Sequence, residues 1–300
     1  MYHNPVMLAE CLEGLQIKPN GVYVDLTFGG GGHSRSILEQ LGENGKLYAF
    51  DQDEDAAKQA SQIDNPNFQF IEANFRFCRR YLRLHGVKEV NGILADLGVS
   101  SYQFDTPERG FSTRFNALLD MRMNQQGDVT AKAILEHYKE EDLHRIFGMY
   151  GEVTNAKTLA NAIIRNRVQQ PIQYIDQLKG ICVQYAPRGK HNQYLAQVFQ
   201  ALRIEVNDEM KALEETLLQM PELIKPEGRL VVMTYHSLED RLVKNFIQKG
   251  KFHGELEKDL YGNTSTPFLS LIRKPMTASE AELNANSRAR SAKLRIAKRN

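Results

Sequence analysis

The stretch that most constrains this chain is Gly21 to Asp51, where a short apolar run, a glycine cluster, a helical segment and a second apolar run follow one another without a gap. Val22, Tyr23, Val24 and Leu26 predict a strand, and Asp25 stands near its end, just ahead of Gly29, Gly30, Gly31 and Gly32. Glycines let a backbone take positive φ and approach a ligand with no Cβ in the way. His33 to Leu41 can then open a helix whose first N–H groups face that ligand. Lys46 to Phe50 predicts the next strand, which ends in Asp51. That acid lies about twenty residues past the glycines, where a nucleotide-binding fingerprint places the group that accepts from both ribose hydroxyls. The plainer alternative is a tight turn, with Asp51 merely capping the helix that follows. Strand, helix and acid all in place favour the nucleotide reading.

The spelling departs from the dinucleotide pattern. Gly29 and Gly31 fit the first two positions of G-x-G-x-x-G, but Ser34 replaces the third glycine and Asp25 precedes the loop. An acid there suits a cofactor with a cationic amino-acid group better than one with a pyrophosphate. The expectation is S-adenosylmethionine, with Asp25 near its amino group.

Three hundred residues suggest about two domains. The chain contains no apolar run of about eighteen residues and begins with no basic, apolar, small-residue leader pattern, so a cytoplasmic protein with no membrane partner is expected. Cys11, Cys78 and Cys182 are scattered, with no C-x-x-C pair, which argues against a disulfide framework, a structural metal site or a cysteine nucleophile. A net charge of +1 advertises no polyanion partner, but two local clusters do. Arg76, Arg79, Arg80, Arg83 and Lys88 form one, and Arg288, Arg290, Lys293, Arg295, Lys298 and Arg299 the other. Either is open to reading as a solvated face; two of them beside a methyl-donor site point toward nucleic acid.

After Asp51, Glu54 to Gln62 predicts a helix, Asn67 to Ile71 a strand, Phe75 to Leu84 a basic helix and Gly92 to Leu97 a strand covered on both faces. Alternating strands and helices imply an α/β fold, doubly wound around a mostly parallel sheet. Ligands in such sheets bind at the carboxyl ends of the strands, which collects Asp25, Asp51, Asn74 with Phe75, and Asp96 into one crevice. From about Asp105 to Gln200 only helical segments are found: Thr130 to His137, Asp142 to Met149, Ala156 to Arg167, Ile172 to Tyr185 and Tyr194 onward. Strand character returns at Arg229 to Tyr235, after the turn Pro226, Glu227, Gly228. A helix over Leu238 to Gln248 and an apolar stretch around Phe268 to Ile272 follow. The expected organisation is a core over residues 1–104, an inserted all-helical domain for substrate recognition over 105–200, and the rest of the core with a basic C-terminal segment over 201–300.

Asp96 follows the fourth strand, where amino-methyltransferases carry an acceptor for the target's exocyclic amine. Such an amine has its lone pair delocalised into the ring, so an acceptor must bind its hydrogens and let the nitrogen pyramidalise as it attacks. Capping the following loop is the bland role for Asp96. Tyr235 and His236 end the late strand and are candidates to contact a flipped base, while Ser237 with Asp240 spells a capping box. Arg109 to Phe111, Asp120 to Met123 and Pro187 to His191 are loop-like stretches suited to gripping phosphate.

With these residues laid out, the sequence resembles the bacterial ribosomal RNA small-subunit methyltransferase H family. The matching stretches are Asp25-Leu-Thr-Phe-Gly-Gly-Gly-Gly-His-Ser34, Asp96-Leu-Gly-Val-Ser-Ser101, Glu108-Arg-Gly-Phe-Ser112, Leu119-Asp-Met-Arg-Met123, Phe199-Gln-Ala-Leu-Arg-Ile204 with Val206-Asn207, His236-Ser-Leu-Glu-Asp-Arg241 and Ala289-Arg-Ser-Ala-Lys-Leu-Arg-Ile296. The resemblance implies N4 methylation of a cytosine in the decoding region of 16S rRNA, within the small ribosomal subunit. It implies S-adenosylmethionine held by Gly31, Gly32 and His33, by Asp51, by Phe75 beside the adenine, and by Asp96 and Gln103. This chain departs from the family in having Ala117 and Leu118 in place of Gly-Pro, and Gln197 in place of an arginine. The alternatives are a DNA amino-methyltransferase, disfavoured because the chain has no Pro-Pro pair, a non-catalytic RNA-binding assembly factor, and a nicotinamide-dependent dehydrogenase.

Overall fold

The computed structural model describes residues 5–256 and 266–300. The chain falls into two compact units, Met1–Gly98 with Met210–Asn300, and Val99–Glu209.

The first unit is built on strands β1 (Val22–Asp25), β2 (Lys46–Asp51), β3 (Phe68–Glu72), β4 (Val90–Asp96), β5 (Ile224–Thr234), β6 (Phe268–Ser270) and β7 (Lys293–Arg299). They form a single sheet of order β3-β2-β1-β4-β5-β7-β6, parallel from β3 through β5, with β7 antiparallel to both its neighbours. This is the doubly wound α/β class expected. Helix α1 (Leu8–Leu15) precedes β1, and the early crossovers are helices α2 (Gly32–Gln40), α3 (Glu54–Ala60) and α4 (Cys78–Leu84). Central strands buried on both faces read as continuous apolar runs, and β4 is buried at Val90, Gly92, Ile93, Leu94 and Ala95. The expected turn Pro226 to Gly228 lies inside β5 as a bulge: Val90 pairs with Ile224, Gly92 with Arg229, and Glu227 takes φ 66°.

The second unit carries α5 (Ser101–Asp105), α6 (Ala131–His137), α7 (Glu140–Met149), α8 (Ala156–Gln169), α9 (Ile175–Tyr185) and α10 (His191–Asn207) around its own core of Leu143, Phe147, Leu159, Ile163, Leu178, Val198 and Leu202. Its only extended pairing among the described residues is an isolated bridge between Leu118 and Tyr174. The unit borders lie at 98/99 and 209/210 rather than at 104/105 and 200/201, because each helix is a local cooperative piece. Ser100 caps α5, and α10 runs on to Asn207 before Asp208 ends it in the left-handed conformation, φ 49°. Within this unit Arg109 and Phe111 are buried, with Arg109 donating 3.0 Å hydrogen bonds to the Arg122 and Met123 carbonyls. Arg122 in turn pairs with Asp120 at 2.7 Å. In these two loops, expected to grip phosphate, Arg109 holds the second loop and Arg122 holds its own. Arg188, Lys190 and His191 are exposed.

The chain returns through α11 (Glu209–Leu217) and α12 (Met220–Leu223) to β5, then α13 (Ser237–Lys249), and α14 (Glu280–Ala285) precedes β7. The basic C-terminal segment expected to hold RNA backbone is itself β7, a strand inside the sheet. Leu294, Ile296 and Ala297 are buried, and Arg295 is only 7% exposed, with Nε 2.7 Å and Nη2 3.1 Å from the Asp240 carboxylate. Lys298 binds Glu227 at 2.9 Å, and Arg299 donates to the Pro221 and Pro267 carbonyls. The α4 cluster is likewise engaged, Arg76 with Glu215 at 2.8 Å and Arg79 with Glu222, while Arg80 and Lys88 are exposed. Among the described residues no helix is long and apolar enough to cross a membrane.

A buried charge stripped of its partner is costly, so Arg295→Ala, which among the described residues leaves Asp240 with Lys293 at 3.7 Å, is expected to lower unfolding free energy by about 3 kcal/mol in urea titrations. A loss below about 1 kcal/mol would mean the pair contributes little beyond its packing.

Candidate functional site

The register of the sheet makes the site. Asp25, the last residue of β1, pairs with Ala49 on one side and Leu94 on the other. β2 and β4 therefore each run two residues further, to Asp51 and Asp96, and β1 stops short between them. At about 3.3 Å per residue the notch is roughly 6–7 Å deep, and its two carboxylate strands stand roughly 10 Å apart. The chain that leaves β1 lines its floor. Thr27 accepts the Asp96 N–H on its Oγ1 at 2.7 Å, and Gly29 N–H donates to Asp51 Oδ2 at 2.8 Å.

Asp25 lies beneath this floor. It is fully buried, Oδ2 accepting from Ser34 Oγ at 2.6 Å and Oδ1 from Thr27 N–H at 3.1 Å. It thus ties the loop to α2 from below, and the expectation that it meets a cofactor amino group is corrected: a carboxylate with no exposed surface cannot reach a ligand. The glycines above it have reasons of their own. Gly31 sits at φ 78°, where a Cβ would come 2.6 Å from the Phe28 ring; a Cβ on Gly32 would come 2.3 Å from Pro5. α2 begins at Gly31 with no side-chain cap, and the first-turn amides of such a helix are able to take an anionic group.

Asp51 takes its second hydrogen bond from Asp53 N–H at 3.0 Å. Two backbone donors fix the carboxylate and leave acceptor positions on both oxygens. Burial pushes its pKa up to about 6, against the pull of those two donors. Phe75, half-buried, opens a short 3₁₀ turn (Phe75–Phe77) after β3, where the Asn74 side chain caps Arg76 N–H and donates to Gln52. Asp96 accepts from Tyr235 Oη at 2.8 Å, and its other oxygen lies 3.9 Å from His33 Nδ1. Its pKa, too, is pushed up to about 6 by burial, opposed by His33 and Tyr235. Burial and the neighbouring Asp96 raise the Tyr235 hydroxyl far above its ordinary range, so it is a fixed donor.

His236 is placed differently from the expectation. It is the N-cap of α13, its Nδ1 facing the Glu239 N–H at 3.4 Å and its Nε2 3.1 Å from Glu239 Oε1, so the capping box starts one residue before Ser237. Its ring is 7% exposed and belongs to the cap. Gln103 sits in the helical unit, 4% exposed, its Oε1 accepting the Ser100 N–H in the α5 capping box. Two participants went unread in the sequence. Thr27 holds the Asp96 backbone, and Glu239, 3% exposed, accepts the Tyr235 N–H at 2.8 Å. The only signal for Glu239 was its spacing of three from His236.

A family model described as the MraW methylase family matches residues 1–300. The chain belongs to that family. Among its relatives, a Cytophaga hutchinsonii protein is 58% identical over 299 residues, covering 100% of both chains. One from Flavobacterium johnsoniae is 56% identical over 298 residues, 99% of this chain and 98% of the other. Both are named ribosomal RNA small subunit methyltransferase H. An MraW methylase is a methyltransferase, and its cofactor is S-adenosylmethionine. The donor set fits that group: uncapped helix amides for a carboxylate, a fixed acid with spare acceptor positions for a ribose diol, and an aromatic edge after β3 for a base.

Because the Asp51 carboxylate must be ionised to accept from hydroxyls, cofactor affinity is expected to fall as pH drops through about 6. One unit below that value the ionised fraction, and with it the affinity, is down roughly tenfold. Calorimetric titration with S-adenosylhomocysteine at pH 5 and 7.5 checks this, and Asp51→Asn should bind weakly at both; a wild-type constant that ignores pH would take Asp51 off the ligand.

Proposed function

We propose that this methylase transfers a methyl group to the N4 amine of a cytosine in the decoding region of 16S rRNA, within the small ribosomal subunit in the cytoplasm. The observation that carries the reading is the Asp96–Tyr235 pair at the rim of the notch. One oxygen of Asp96 is fixed by the phenol at 2.8 Å, so the carboxylate is held as an oriented acceptor of the kind an exocyclic amine needs. The names borne by relatives more than half identical support the RNA substrate.

Bound S-adenosylmethionine supplies an electrophilic methyl on its sulfonium. The chain does the rest by holding and orienting. Asp51 accepts from the ribose hydroxyls, the amides of Gly31, Gly32 and His33 hold the amino-acid carboxylate, and Phe75 lies against the adenine. Asp96 accepts the hydrogens of the target amine, and Tyr235 keeps it from turning away. Holding the two reactants in line converts a bimolecular step into an effectively unimolecular one, with effective molarities of about 10⁵ to 10⁸ M available. The helical unit and its exposed Arg188, Lys190 and His191 supply substrate recognition; His236 supports the site through the capping box of α13.

The test is tritiated methyl transfer to RNA, to DNA and to small subunits from cells lacking this protein, followed by nucleoside mass spectrometry. We expect N4-methylcytosine in the subunit, and an Asp96→Ala rate reduced on the order of 10³-fold. Near-wild-type turnover in Asp96→Ala, or label confined to DNA, would sink the reading.

A further inference from the structure

Methylating an amine leaves one proton too many, and the surroundings of Asp96 indicate where that proton goes. His33, on α2, is 6% exposed, and its Nε2 lies 3.2 Å from the Val6 carbonyl. A carbonyl can only accept, so Nε2 carries the hydrogen and donates. In the neutral ring Nδ1 is then a bare lone pair, and what it faces, at 3.9 Å, is Asp96 Oδ2. Two acceptors opposed in a largely buried site repel unless a proton lies between them. The other Asp96 oxygen already receives the Tyr235 hydroxyl. The arrangement is one proton short.

We propose that His33 is the proton sink of the transfer: the proton shed by the methylated amine passes to Asp96 and on to His33 Nδ1, while the Val6 carbonyl keeps Nε2–H in place. This inference rests on the amine reading above. The balance closes within named groups. The methyl leaves its sulfonium as the C–S bond breaks with its electron pair staying on sulfur. The new N–C bond leaves the nitrogen cationic, its N–H electrons return to nitrogen as Asp96 Oδ2 takes the proton, and Asp96 is restored as the imidazole becomes imidazolium. Nothing is oxidised or reduced, and His33 later yields the proton to solvent. His33 acts through Asp96 and so is a positioning residue.

The other groups acting on Asp96 are poor takers. Asp25 on β1 is fully buried and bound by Ser34 and Thr27; Glu239 on α13 is committed to the Tyr235 and His236 backbone. The Tyr235 hydroxyl is a donor held far above its ordinary range. The thiol of Cys11 on α1, 0% exposed, is raised by burial and by Asp96 itself. His33 alone among them offers a vacant basic lone pair. The strap that orients it is also built in. Pro5 packs on Gly32, and Met7, 1% exposed in the left-handed conformation, donates its N–H to Glu282 at 2.7 Å.

Two measurements test this. In the free protein, ¹⁵N spectra of the His33 ring at pH 8 are expected to show the neutral Nε2–H tautomer, with an Nδ1 resonance that moves in Asp96→Asn. A doubly protonated ring at pH 8, the Nδ1–H tautomer, or an Nδ1 resonance indifferent to Asp96→Asn overturns the proposal without any reference to activity. In single-turnover transfer across pH 5 to 9, His33→Asn should lower the rate on the order of 10²-fold with the RNA half-saturation unchanged. Its acid limb should also move to higher pH, since an imidazolium facing Asp96, which favours the ionised carboxylate, can no longer form in the variant. N4-methylcytosine formed by His33→Asn within threefold of the wild-type rate and with the same acid limb overturns the proton path while leaving the amine reading intact. A methyl found on a ring carbon or a ribose oxygen removes the amine reading and this inference with it.

Discussion

The site depends on one buried charge. Asp25 sits at the end of a central strand with no exposed surface, and an isolated carboxylate there would be prohibitively costly unless hydrogen-bonded. The Ser34 hydroxyl and the Thr27 N–H meet that need, and in doing so they dictate where the chain goes. Thr27 must turn back under the strand, Ser34 must return one turn into a helix, and the residues between them must close a loop too tight for side chains at Gly31 and Gly32. Once Thr27 is fixed, its hydroxyl is in place for the Asp96 backbone, and once the loop is fixed, Gly29 is in place for Asp51. A single satisfied charge thus sets both walls of the notch.

The sequence made the architecture of this region legible because its demands are local. Glycines at a strand-to-helix turn, an acid after the next strand and another after the fourth are each readable from spacing, and register then brings Asp51 and Asp96 to the same level. What escaped was non-local. Lys293 to Arg299 alternates cations with apolar residues, a pattern that reads equally as a basic tail or as a strand; only the partners on β5 and β6, and Asp240 across from Arg295, decide for the strand. The Arg109 loop misled for the same reason, since the Arg122 and Met123 carbonyls that receive it lie 13 and 14 residues further along the chain.

The cap of α13 shows a finer limit. Serine three residues before an acid is the usual start signal, and Ser237 with Asp240 meets it. The structure uses His236 with Glu239 instead, because each of the two acids has a further partner. The buried Glu239 carboxylate receives the Tyr235 N–H, which steadies the residue whose hydroxyl holds Asp96, while Asp240 is drawn away to Arg295. Cap choice here is decided by tertiary partners, and propensity alone cannot distinguish two adjacent registers that both satisfy it.

The carboxylates at the rim are tuned by the depth at which the sheet ends. Asp51 and Asp96 are both lifted to about 6 by burial, yet each keeps enough donors to remain ionised at neutral pH. Since the protonated form is favoured in the fold, each group subtracts from stability above its raised pKa, and the deficit fades as pH falls toward the ordinary carboxylate range. Relieving that cost by opening the rim to water would also weaken every hydrogen bond the two acids offer a ligand. Strand register that left Asp96 one residue shallower would turn its side chain to the other face of the sheet, away from Tyr235 and His33. The small destabilisation at the rim and the chemistry of the site therefore follow from the same two-residue overhang.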